Sequence, residues 1–378
     1  MNPKSLCQLF NAYIEKFEYL NNERNCESYK WEAICSFQRI FDLSKHGDAF
    51  TNMLRAAKKA TENIIDSYTQ PFGGLVKLAE AGESERVRQI LLDLLAPDNG
   101  NLMVRQGKIN AFLSACDGLL TKYFPGSFLY KNDQRSAMAY LFFNDPDNHY
   151  LYKATEAKYL ANCVGFYDDW GAMSEFKMDV YYRFCDKLIE AIKGTPALLA
   201  THTSRYEKTN KQMHPDTALH ILAFDIIYCS HTYDLYNGLA FDKVTSSERK
   251  LYQEKKAKAI ELLARIETAE ADQALLDEAR AYFSKLILSS GAVSHKSFGE
   301  ADVESLEEDL ITLRIRKTNE RKSFILMHAI ANGFIKVASE DFDDKLELYI
   351  AVMQRAAVIP KSLQDARNAL IPYEKYLN

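Results

Sequence analysis

The chain reads as a mainly α protein, a multi-helix domain followed by a smaller helical C-terminal domain that can include a short hairpin. Three observations predict this class. Apolar residues recur at helical spacing in long segments, above all where Phe176, Val180, Phe184 and Leu188 fall every fourth residue. Glycine (15) and proline (9) are scarce in 378 residues, which leaves few turn formers for a strand-rich sandwich. Hydrophobic residues make up 47% and aromatic residues 12%, enough for a large core and too many for a disordered chain.

The elements follow in order. Tyr29–Phe41 places Trp31, Ile34, Cys35 and Phe41 on one helical face. A second helix over Asp48–Thr69 stops at Pro71, with Gly73 and Gly74 behind it. Glu83–Leu95 is a short amphipathic helix, and the Pro97-Asp98-Asn99-Gly100 turn separates it from a helix over Leu102–Tyr123. Asp133 is placed as the N-cap of a helix over Arg135–Phe143. Helices over Thr155–Val164 and Ser174–Ile192 come next, the second closed by Gly194 and Pro196. Ala200–Met213 is polar and reads as a loop. Asp216–Tyr228 is apolar on nearly every side and reads as a buried helix.

Near residue 240 the composition becomes charged, which sets the domains at 1–240 and 241–378. Ser247–Glu267 and Ala271–Ser289 read as an antiparallel helical hairpin broken near Thr268. Ser289–Glu300 reads as a loop, Leu310–Lys317 alternates like a strand, and Asp341–Ala357 is a helix ending before Pro360.

Composition limits the function. The net charge is −5 and the pI about 6.0, so any nucleic-acid contact must come from a local patch. The seven cysteines form no CxxC pair, as expected of reduced thiols in a cytoplasmic chain. No apolar run is long enough to span a membrane, so no membrane partner is expected. No GxSxG, HExxH or GxxxxGK[ST] occurs, so catalysis by the common hydrolase and nucleotide chemistries is not expected.

The residues from about 29 to 230 resemble the N-terminal region of McrB-like AAA+ restriction proteins. The likeness is carried by Tyr29-Lys30-Trp31-Glu32, by Asp133-x-Arg135-Ser136 running into Tyr140-Leu141, by Asp145-Pro146 with Tyr150-x-Tyr152-Lys153, and by His214-Pro215-Asp216 through Phe224-Asp225-x-x-Tyr228. It implies a role in bacterial restriction or anti-phage defence, with DNA, an AAA+ motor or a nuclease subunit as partner. No motor sequence is present.

Two stretches are candidate nucleic-acid or partner contacts. Arg135 and Lys153 can hold a phosphate while Tyr150 and Tyr152 stack on bases. Arg314, Arg316, Lys317, Arg321 and Lys322 place five cations in nine residues. Packing at a domain seam and a solvated charged turn are the competing readings. Asp225, alone in an apolar helix, must be paired, with Arg135, Lys153 or a more distant cation as partner. His214, His220, Cys229 and His231 match no zinc spacing, so neither metal nor cofactor is expected. Asp168-Asp169 with Glu175 and Lys177 outlines a metal-dependent nuclease, but the second pair opens a helix where a strand is needed. The leading expectation is a non-catalytic recognition or adaptor protein. A divergent nuclease and a homo-oligomeric scaffold are the alternatives.

Overall fold

The structure is a computed structural model that describes residues 1–66 and 69–377, the side chain of residue 174 excepted. It divides into two compact units, Met1–Lys250 and Leu251–Asn378.

The first unit is helical: α1 (Pro3–Glu15), α2 (Phe17–Leu20), α3 (Tyr29–Ile40), α4 (Gly47–Ile65), α5 (Pro71–Leu78), α6 (Ser84–Leu95), α7 (Leu102–Tyr123), α8 (Gln134–Asn144), α9 (Ala154–Cys163), α10 (Met178–Lys193), α11 (Pro196–Glu207) and α12 (His220–Thr232). Local chemistry sets several boundaries. Asn2 and Asn101 cap α1 and α7 with side-chain oxygens, and Asp133 closes a reciprocal capping box with Ser136 on α8. The second helix ends at Ile65, and residues 67 and 68 of its expected span lie outside the described ones.

Helix α12 is buried on nearly every side and packs against α1, α3, α9 and α10. It begins later than the apolar pattern does, because Asp216 and Leu219 take positive φ and Asp216 caps the first turn from outside it. Helix α10 likewise starts at Met178, after a short 3-10 turn at Met173–Glu175. The expected loop at 200–213 is instead α11 up to Glu207. Pro196 opens that helix at its first position, where its missing N–H costs nothing. The polar residues His202 and Arg205 hid the pattern, because they face inward onto acids rather than outward.

The second unit corrects the helical expectation. Helix α13 runs unbroken over Ser246–Ser290. Its residues are strong helix formers without glycine or proline, and Thr268 returns its hydroxyl to the Ala264 carbonyl rather than breaking the turn. There is no helical hairpin. Thr268→Pro therefore removes a backbone hydrogen bond and clashes with Ala264. A loss of about 3 kcal/mol is expected in denaturant unfolding of this unit; an unchanged unfolding curve would mean the chain breaks there.

Five strands follow or surround the next helix: β1 (Ala292–His295), β2 (Gly299–Glu307), β3 (Leu310–Ile315), β4 (Arg321–Ile325), then α14 (Leu326–Ala331) and β5 (Ile335–Lys336). They form an antiparallel sheet in the order β4-β3-β2-β1-β5. Ile311, Leu313 and Ile315 of β3 point inward onto Phe283 and Ile287 of α13 and Ile330 of α14, as the alternation at 310–317 implies. The expected loop at 289–300 is β1 and the start of β2. Helices α15 (Phe342–Met353) and α16 (Ile359–Leu370) complete the unit. Among the described residues, no helix is long and apolar enough to cross a membrane.

Candidate functional site

Two polar assemblies stand out in the first unit, one buried and one open. The buried one centres on Asp225, which is 0% exposed. Its carboxylate accepts hydrogen bonds from the Lys30 ammonium and, at 2.5 Å, from the Tyr13 hydroxyl. The Arg205 guanidinium lies 3.5 Å from the Oδ2 oxygen that Tyr13 also binds, while Lys30 takes Oδ1. Lys30 also meets Glu27 at 2.6 Å, and Tyr233 donates to Glu27. Arg205 lies 3.8 Å over the Trp31 ring and donates to Tyr13, Asn21 and Ser28. Two acids and two bases thus cancel inside the core. Burial opposes ionisation of Asp225, yet Lys30 and Arg205 beside it hold its carboxyl below the usual range. Burial also opposes the charge on Lys30, and Asp225 overrides it, holding the ammonium well above its ordinary value.

The cations are therefore Lys30 and Arg205, not Arg135 or Lys153. Lys30 sits beside Trp31 on a helix face that is otherwise apolar, and a lysine there is a signal that an acid must face it. Arg205 was hidden in the stretch expected to be a loop.

Glu27, Asp225 and Cys229 bring three potential metal ligands together. Lys30 already bridges the two carboxylates, and burial pushes the Cys229 thiol well up, away from the thiolate a metal needs. The set is charge-balanced as it stands. His214, His220 and His231 are not gathered here. His214 accepts from the Asp216 amide, His220 contacts the His149 carbonyl, and His231 packs on Tyr159.

The open assembly is a cleft at the start of α8, lined by Asp133, Arg135, Ser136, Tyr152 and Lys153 with Ile64 and Ile65 of α4. Arg135 is exposed and forks onto Asp133 at 2.8 and 2.5 Å. Lys153 is half-buried and, among the described residues, its ammonium has neither an ion pair nor a hydrogen bond. Burial lowers its pKa, and Arg135 lowers it further against the pull of Glu156.

The two tyrosines do not present open faces. Each is 5% exposed. Tyr150 stacks on His220 at 4.1 Å, meets Tyr182 edge-on and donates to Asp186. Tyr152 packs between Phe176 and Tyr181 and accepts from Trp170. Their strand-like spacing serves the aromatic core, so base stacking on them is corrected to packing.

The basic run in the second unit is largely neutralised. Arg314 and Arg321 both pair with Glu304, Arg316 pairs with Asp302 at 2.6 Å, and Lys322 lies 3.5 Å from Glu320. Of the five, only Lys317 lacks such a partner among the described residues. Asp302 and Glu304 lie on β2, across the sheet from the arginines, so that pairing was invisible along the sequence, whereas Glu320 lies within the run itself. The nuclease outline fares similarly. Asp168 pairs with Arg183 and Asp169 with Lys158, while Glu175 and Lys177 lie on the turn into α10. Among known proteins, no family model, no curated protein and no solved structure matches this chain.

Proposed function

We propose that this protein is a non-catalytic recognition or adaptor component of a bacterial restriction or anti-phage system, and that it grips phosphate groups at the Arg135–Lys153 cleft. The observation that carries the reading is Lys153. A half-buried ammonium that makes no ion pair or hydrogen bond among the described residues is costly, and an arriving phosphate would relieve that cost while Arg135, now forked onto Asp133, supplies a second cation in the same cleft. The defence setting rests on the resemblance over residues 29–230, with DNA or an AAA+ motor or nuclease subunit as the larger partner.

The reading is tested by titrating labelled single- and double-stranded DNA at low and moderate salt. Arg135→Gln with Lys153→Gln is expected to weaken binding across all sequences and to reduce the salt slope by about two phosphate contacts. Tyr152→Ala should cost stability rather than alter that slope, because its ring is packed. Absence of any binding at low salt would remove DNA as the direct ligand.

A further inference from the structure

The second unit contains a recess between the inner face of its sheet and α14, lined by His295, Ser297, Phe324, His328 and Phe334. His295 lies at its centre, 4% exposed. Its ring packs on Phe298 at 4.6 Å, on Phe324 at 4.7 Å, and nearly parallel to Phe334 at 6.3 Å.

The hydrogen bonding of that ring is incomplete. The Ser297 amide donates to Nδ1 at 3.1 Å, so Nδ1 is the acceptor and the proton of the neutral ring is on Nε2. Burial lowers the pKa of His295, which keeps the ring neutral near pH 7. The Nε2 atom is buried and has no hydrogen-bond partner among the described residues. A buried donor left unpaired costs about 1–3 kcal/mol, and natural proteins seldom retain one without a use. At the mouth the design reverses. Phe334 in the lining, and Phe298 packed on the His295 ring beside it, each leave 38% of their surface in solvent.

We infer that this recess binds a nucleobase, stacked on Phe334 and accepting a hydrogen bond from His295 Nε2 through a ring nitrogen or carbonyl oxygen. The walls require a planar, largely apolar group. The orphan donor requires that the group carry an acceptor, which a leucine or phenylalanine side chain lacks. Lys322 stands 5.7 Å over the Phe298 ring and already occupies the place beside it that a methylammonium group, the usual guest of an aromatic cage, would take. Because Nε2 is covered, one of the half-exposed phenylalanine rings must turn aside as the ligand seats. The site lies in a different unit from the Arg135–Lys153 cleft and stands or falls separately from it.

The test uses the full chain labelled with 15N-histidine and titrated with the four nucleoside 5′-monophosphates. At least one nucleotide is expected to shift the His295 Nε2–H resonance. His295→Phe preserves the packing and removes the donor, and it should weaken that nucleotide about tenfold. Phe334→Ala, at the rim where folding is least affected, should weaken it tenfold or more. Arg135→Gln with Lys153→Gln should leave the midpoint of the His295 Nε2–H shift unchanged even if the cleft takes up phosphate, because that resonance reports the recess alone. No shift with any nucleotide, or binding that survives both His295→Phe and Phe334→Ala, overturns the inference. So does binding of benzoate as tight as that of the best nucleotide, since the recess would then select only a flat anion.

Discussion

Asp225→Ala is expected to destabilise the first unit by about 3–5 kcal/mol. The loss comes less from the missing attraction than from what remains. Lys30 is fully buried beside Asp225, and removing the carboxylate leaves its ammonium with Glu27 while Arg205 loses the acid that it pairs with among the described residues. Tyr13 loses the acceptor for its hydroxyl. Both tryptophans, Trp31 and Trp170, lie in the first unit, so fluorescence-detected urea unfolding of the whole chain reports on the part concerned. The double variant Asp225→Leu with Lys30→Met removes one charge of each sign and leaves one buried acid, Glu27, and one buried base, Arg205. Its cost should be well below the sum of the two single losses, as for residues in one network. An unchanged midpoint for Asp225→Ala would mean that the four charges are not energetically coupled.

The second large effect concerns acid. Burial lowers the pKa of His149 to about 4, with Arg105 adding to it, and lowers His202 to about 4, with Arg205 adding to it. Both rings are neutral in the fold and would take up a proton near pH 6.5 once unfolded. Between about pH 6.5 and 4 the unfolded chain therefore binds more protons, and stability falls as the pH falls. The contribution is on the order of 3 kcal/mol for each ring over that window. Asp216 acts with the opposite sign. Burial raises its pKa to about 7 against the hydrogen bonds from Ile221, Leu222 and Trp31, so its part of the stability is greatest at low pH and is lost as the pH rises through about 7. The histidine contribution is accordingly read as a difference. His149→Gln with His202→Gln should flatten the dependence of the urea midpoint on pH between 6.5 and 4 relative to the unaltered chain. Parallel curves for the two proteins would show that these rings titrate alike in both states.

Periodicity located the apolar helices because a face that packs against a core leaves a repeat of 3.6 in the sequence. Helix α7 was readable to the residue, since Asn101 caps it and Tyr123 precedes the Pro125-Gly126 break. The same logic failed wherever the buried face is polar. Helix α11 turns His202 and Arg205 inward, so its repeat reads as a solvated loop. Strands β1 and β2 failed for a related reason. The run Gly299-Glu300-Ala301-Asp302-Val303-Glu304 is half acidic because its outer face meets Arg314, Arg316 and Arg321.

By itself the sequence determined the helical class, the buried character of the segment around Asp225 and the need for a counter-charge there. Those are local consequences of side-chain spacing and of the cost of an unpaired charge in an apolar helix. Which cations answer Asp225 was decided only by tertiary structure, because Lys30 and Arg205 stand 195 and 20 residues away along the chain and meet it only when α3, α11 and α12 pack. Tertiary structure also removed Tyr150 and Tyr152 from the candidate surface and neutralised most of the cations between 314 and 322. For the tyrosines and the three arginines the partner lies on another element, and no pattern along one segment records what the next segment brings to it.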